Sequence, residues 1–186
     1  MRKHLPLIIV LSVLTSIPAF AQLELGASYE LRNEDPNSGF GVRVEKGFLD
    51  KIPVVNLGLR AHFSYFSDEN KVSESGISYS ADITNYDFGL ALIGGLNVGL
   101  VEPYVGIGLG SETIDLQPKD FEGVSVEDEN DSSIYWNGLI GAKVTIIPIL
   151  KPFIEYRYSD TSIGEPSMDQ FKDQTGRIIF GVSLSF

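Results

Sequence analysis

The sequence predicts an all-β chain, an eight-stranded antiparallel up-and-down transmembrane β-barrel. Three observations predict it. The last eleven residues alternate strictly: Ile178, Phe180, Val182, Leu184 and Phe186 share one face, and Arg177, Ile179, Gly181, Ser183 and Ser185 lie between them. Similar segments of about 10 residues recur along the chain, and dyad alternation at that length is the unit of a membrane-spanning sheet. No run of eighteen apolar residues exists, so no transmembrane helix is expected.

The first strand is placed at residues 23–31, with Leu23, Leu25, Ala27, Tyr29 and Leu31 on one face. The second is 40–48, with Phe40, Val42 and Val44 outward. The third runs over 54–66, where Val55, Leu57, Leu59, Ala61, Phe63 and Tyr65 alternate with Asn56, Gly58, Arg60, His62 and Ser64. The fourth, 78–94, turns Tyr86, Phe88, Leu90 and Leu92 outward. In the fifth, 103–112, Val105, Ile107 and Leu109 face out while Gly106, Gly108 and Gly110 face in. The sixth, 133–147, carries Ile134, Trp136, Ile140, Ala142, Val144 and Ile146 outward. The seventh, 152–159, does so with Ile154, Tyr156 and Tyr158, and the eighth is the terminal strand.

The connections alternate in kind. Short proline-containing links fall at 49–53, 95–103 and 148–152, and longer polar links at 33–39, 67–77, 113–132 and 160–175. Short periplasmic turns opposite long external loops are the layout of outer-membrane barrels. Pro53, Pro103 and Pro152 recur about 50 residues apart, each opening an odd-numbered strand, where a missing N–H does little harm. An even strand count lets the sheet close with both termini on one side. Closure removes the two edges whose unpaired backbone groups would each cost several kcal/mol in lipid.

Composition and the N-terminus agree with export to an envelope. Arg2 and Lys3 form a basic start, residues 5–17 a short interrupted apolar stretch, and Ala19-Phe20-Ala21 a cleavage site. Residues 1–21 are therefore expected to be a signal peptide and 22–186 the barrel domain. Cysteine is absent, which excludes a disulfide framework and a lipid-modified cysteine. The formal charge is −11, or −13 once Arg2 and Lys3 leave, which argues against nucleic acid as a partner. Mean hydropathy is only +0.07, as suits strands with one polar face.

Charges test the phase. It sends Glu24, Glu30, Arg43, Glu45, Arg60, Asp87, Lys143, Glu155, Arg157 and Arg177 to the lumen, five acids and five bases, and none to the lipid side. With His62 these residues are expected to form a polar network. An eight-stranded barrel is just wide enough for side chains to fill, so a plugged barrel is expected and not an open pore. Phe40, Tyr65, Trp136 and Tyr158 near the loop side and Phe48 and Phe186 near the turn side are expected to form two aromatic girdles.

The terminal strand ending in Phe186, the segment Lys151-Pro152-Phe153-Ile154-Glu155-Tyr156-Arg157-Tyr158 and the turn/loop alternation together resemble the small outer-membrane barrels of the OmpA/OmpX and opacity-protein type. That resemblance covers the whole mature length. It implies an integral protein of the cell outer membrane with a structural or surface-interaction role, without enzymatic activity or cofactor. It also implies that the strand carrying Ile178, Phe180, Val182, Leu184 and Phe186 is the signal read by the outer-membrane insertion machinery. The implied partners are outer-membrane lipids and lipopolysaccharide, with an extracellular ligand held by the loops, and the expected state is a monomer. With the chain ending at Phe186, no peptidoglycan-binding domain is expected after the barrel.

Three motifs are weighed against plainer readings. His62-Phe63-Ser64 resembles the His-x-Ser pair of barrel-type lipid A deacylases, with Asp87 or Glu45 as the orienting carboxylate. The phase points both residues inward, away from lipid, and favours a lumen histidine. Glu127-Asp128-Glu129-Asn130-Asp131 offers clustered oxygens for Ca²⁺ or Mg²⁺ but lacks the spacing of a calcium loop, so no metal site is expected and a solvated acidic loop is favoured. Gly106, Gly108 and Gly110 are expected to leave room for bulky lumen side chains such as Tyr135, Arg60 or Phe153. The alternatives carried forward are a lipid A-modifying enzyme using His62 and Ser64, and a soluble lipocalin-like carrier with the opposite phase.

Overall fold

A computed structural model of the chain describes residues 23–48, 55–74, 77–119, 129–161 and 174–186. The expected signal peptide, and Pro53, Glu127 and Asp128 among the residues named above, lie outside this set. Eight strands follow one another: β1 Leu23–Arg32, β2 Ser38–Gly47, β3 Val55–Glu74, β4 Ile77–Leu96, β5 Val101–Lys119, β6 Glu129–Val144, β7 Leu150–Asp160 and β8 Gln174–Ser185. Each pairs antiparallel with its neighbour in sequence, and β8 returns to β1 with Ala27 opposite Val182 and Tyr29 opposite Phe180, closing the barrel. No described strand edge in the spanning region is left without a partner, as hydrocarbon requires.

Two turns show how sequence shapes the short side. Val98 and Val101 exchange backbone hydrogen bonds around Gly99-Leu100, and Gly99 has φ of 66°. That is the first central position of a two-residue hairpin, where a type II′ turn demands a positive φ that only glycine adopts cheaply. The other turn places Pro148 after Ile147, whose carbonyl accepts from Leu150 N at 3.0 Å; proline pre-sets the φ needed there. Pro103 and Pro152 stand three residues into β5 and β7 and not at their first positions, because Val101 and Leu150 already pair.

The phase holds in every strand. Ile107, Phe88 and Phe180 face outward and are exposed, whereas Arg60, Asp87, Tyr135 and Arg177 are fully buried inside. A carrier of lipocalin type needs apolar residues inside and polar residues outside, so this inside-polar arrangement overturns that alternative. The strand ends differ more. β3 and β4 each extend to 20 residues and pair out to Glu74 opposite Ile77, and β5 pairs with β6 out to Leu116 opposite Glu129. Much of the expected loops at 67–77 and 113–132 is therefore strand. At roughly 3.3 Å per residue and a 45° tilt, 20 residues rise roughly 45 Å, against an apolar band about 25 Å tall. The β3–β6 sheet thus stands well clear of the membrane, while β1, β2, β7 and β8 stop near its surface.

One outward residue breaks the expected segregation. Lys46 continues the outward series of Phe40, Val42 and Val44 and is exposed. It lies at the turn-side rim, opposite Leu23, whose carbonyl accepts from Phe186 N. At the rim a lysine reaches headgroups, so the cost of a mid-membrane charge does not arise.

Candidate functional site

The interior holds two clusters of paired charges, one in each half of the barrel. On the turn side, Lys143 Nζ lies 2.6 Å from Glu24 and 2.9 Å from Glu45, and Lys151 Nζ lies 3.1 Å from both Glu24 and Glu102. Arg60 donates through Nε and Nη2 to Glu45 Oε2 at 2.9 and 2.7 Å, and through Nη1 to Glu155 Oε2 at 2.5 Å. Glu155 also accepts from Tyr104 at 2.9 Å and from Arg157 at 3.0 Å, and pairs with Arg43 at 3.5 Å. Arg43 stacks 3.3 Å from the centroid of the Phe153 ring, a cation–π contact that covers one face of its guanidinium.

The loop-side half is organised on Asp87. It pairs with Arg177, accepts from Tyr135 at 2.6 Å and lies 3.3 Å from His62 Nε2. Glu112 receives Arg32 at 2.9 Å and Arg177 at 3.5 Å, together with the Asn85 amide. Phe66, fully buried, caps this cluster under the guanidinium groups of Arg32 and Arg177, 4.4 and 5.1 Å from its ring centroid. Arg32, Lys151, Glu102 and Glu112 join the ten charges expected from the sequence, so seven acids face seven bases. Arg32 lies one residue beyond the expected first strand, Lys151 one before the seventh and Glu102 one before the fifth, while Glu112 was within reach on parity alone.

Two of the three β5 glycines make room for bulky lumen side chains as expected, and one of these side chains is Tyr135. A Cβ on Gly110 would meet the Tyr135 ring, but Gly106 faces Ile93 and Leu139, and Gly108 lies against the Leu90 carbonyl and Ala91. Phe153 lies over Gly181 of β8 instead. The register decides these pairings, and the sequence does not display it.

His62 and Ser64 do not form a nucleophile and base. Ser64 Oγ donates to Glu30 Oε1 at 3.0 Å, while His62 Nε2 faces the Tyr135 hydroxyl at 3.2 Å and Asp87. Asp87 takes the orienting position considered for it, whereas Glu45 is held by Arg60 and Lys143. Ser64 is fully buried in the lumen, so an acyl chain in the bilayer has no route to it. Among the described residues no group of three or more metal-ligating side chains converges.

Outside, aromatics ring the loop-side edge of the apolar band. Tyr29, Phe40, Tyr65 and Tyr86 follow one another across β1 to β4 in direct register, with ring centroids 5.4 Å apart in the pairs Tyr29–Phe40 and Tyr65–Tyr86. Trp136 and Tyr158 continue the row at 5.8 Å. Phe48 and Phe186 are exposed at the opposite rim. Beyond the aromatic row, segments 33–39, 67–82, 113–132 and 160–175 hold 17 acidic and 3 basic residues. The sequence segments that leave the loop-side ends of β1, β3, β5 and β7 therefore carry the acidic excess of the chain.

A closed eight-stranded sheet with an apolar belt outside, aromatics at its rims and a charge-filled interior defines a small integral β-barrel of an outer membrane. The chain belongs to the outer membrane protein beta-barrel domain family, which it matches over residues 7–186. Its fold is similar to that of Neisserial surface protein A, at 19% identity and a TM-score of 0.60 over 89% of this chain and 97% of that one. It is similar to Ail of Yersinia pestis, solved with the heparin analogue sucrose octasulfate, at 15% identity and a TM-score of 0.56 over 89% and 97%. A major outer membrane protein of Thermus thermophilus matches at 14% identity and a TM-score of 0.55 over 89% and 99%. Such identities show the shared fold and no shared activity. No curated protein matches the sequence.

Proposed function

We propose that the chain is a non-conducting, non-enzymatic anchor that displays an acidic recognition surface outside the cell. The observation that carries this is the separation of charge. The lumen is balanced, and the sequence segments read as external hold 17 acids against 3 bases, next to strands β3 to β6, which outrun the membrane. A rigid scaffold with polar segments at one end is where binding usually resides. The sign of the field selects cationic partners and repels polyanions. The expected ligand thus differs in charge from the polysulfated molecule bound to Ail, despite the shared fold. Lipopolysaccharide is approached through divalent cations shared between its phosphates and these carboxylates. In this reading the chain acts as a monomer, and Ile178, Phe180, Val182, Leu184 and Phe186 present the strand that the insertion machinery takes up.

The test uses intact cells displaying the full chain and fluorescent polylysine as the cationic probe. Replacing Glu127, Asp128, Glu129 and Asp131 by their amides should lower probe binding several-fold, and raised salt should abolish the difference. Equal binding by the wild-type and amide forms at low salt would refute the acidic-surface reading.

A further inference from the structure

Lys46 is the residue to explain. It is outward-facing at the turn-side rim, and no acidic partner pairs with it among the described residues. From residue 22 onward, and outside the external segments, the charges otherwise cancel: seven acids against seven bases in the lumen, and Asp50 against Lys51 in the sequence that follows β2. Among these residues Lys46 is the one that faces outward on a described strand. It stands at one end of an external groove of about 280 Å³ lined by Val44, Lys46, Phe48, Leu59, Ala61 and Leu90. The groove exists because Ala61, directly opposite Val44 on one side and Leu90 on the other, is the small residue in a row of larger ones. Its volume is near the lower end for small-molecule sites.

We propose that this groove is a binding site for one phospholipid of the periplasmic leaflet. The lipid phosphate sits on Lys46 Nζ at the rim, and one acyl chain lies along Ala61 between Leu59, Leu90 and Phe48. Charge complementarity selects the occupant. An ammonium at headgroup depth with no acidic partner among the described residues attracts a phosphate, and an apolar trough running from it towards mid-membrane fits hydrocarbon. An anionic headgroup is preferred over a zwitterionic one, because the acidic external segments are several Debye lengths away at the opposite end of the barrel and do not offset Lys46. The site uses only the barrel and its orientation, so it stands whether or not the external surface binds cations.

The experiment is native mass spectrometry of the full chain released from detergent, titrated with phosphatidylglycerol and, separately, phosphatidylcholine. The wild type should retain one phosphatidylglycerol in preference to phosphatidylcholine. Lys46→Gln should weaken phosphatidylglycerol about fivefold and erase the preference. Ala61→Leu, which fills the trough, should weaken both lipids. Both side chains face outward, and heat-dependent gel mobility checks that each variant has closed its barrel. Identical lipid retention in all three proteins overturns the site. So does a dimer that dissociates in Ala61→Leu, since the groove would then hold a second copy of the chain.

Discussion

Arg60 stands between two carboxylates, Glu45 and Glu155, and is fully buried. Taking such a group out of water is costly, and removing it takes away the cation that bridges the two acids, leaving Glu45 to Lys143 and Glu155 to Arg43 and Arg157. Arg60→Met is therefore expected to lower the unfolding free energy by about 3–5 kcal/mol, read from urea titration of the detergent-folded barrel. Asp87→Asn should behave alike, since it leaves Arg177 only the longer contact to Glu112. Unchanged midpoints in both would remove the lumen network as a source of stability. The glycines supply a second test. A Cβ on Gly108 would run into the Leu90 carbonyl, which cannot rotate away, whereas one on Gly94 would lie 3.6 Å from Leu57 Cδ2, an ordinary contact. Gly108→Ala should cost about 1–3 kcal/mol and Gly94→Ala much less, by the same titration.

Along a single strand, each element was readable in its middle and poorly at its ends. Alternation in β7, from Phe153 to Ser159, fixes which residues face the lumen because one face is hydrocarbon-facing and the other is not. Past the aromatic row that contrast disappears. Ser67, Asp68 and Glu69 continue β3 into water, where both faces are polar, so period two leaves no trace in composition. The same loss hid the outer half of β5, whereas β4 was read almost to its outer end. Strand β5 offers a direct check on the membrane boundary. Ile107 lies midway along its outward apolar series, and Ile107→Lys should destabilise the folded barrel by about 2–4 kcal/mol, measured in lipid vesicles. Thr113→Lys, beyond the belt, should have almost no effect; equal costs at the two positions would misplace the belt.

For the molecule as one body, the filled lumen decides transport. Glu155, Arg60, Tyr104 and Arg43 meet across the turn-side half, and Asp87, Tyr135, Arg177 and Phe66 across the other. Reconstituted into planar bilayers, the chain is expected to give no stepwise conductance at moderate voltage; steady, uniform steps would show an open path and end the reading of a plugged barrel. Unboiled protein should also run faster than boiled protein in detergent gels, as a closed barrel that resists unfolding does.

The order of residues is enough to establish the class of fold, the phase of every strand and most of the lumen charges. Each follows from period-two alternation against a hydrophobic solvent, which any eleven-residue stretch such as 176–186 displays locally. Lys46 was legible in the same way, by parity with Val44, although its placement at the rim needed the register. Who pairs with whom is settled in three dimensions. Lys143 reaches Glu24 across 119 positions and Arg43 reaches Ser183 across 140, because the stagger of eight closed strands, and no local pattern, sets which side chains share a level. The same stagger turns Ser64 to Glu30 and not to His62, which is what separates a structural polar pair from a catalytic one.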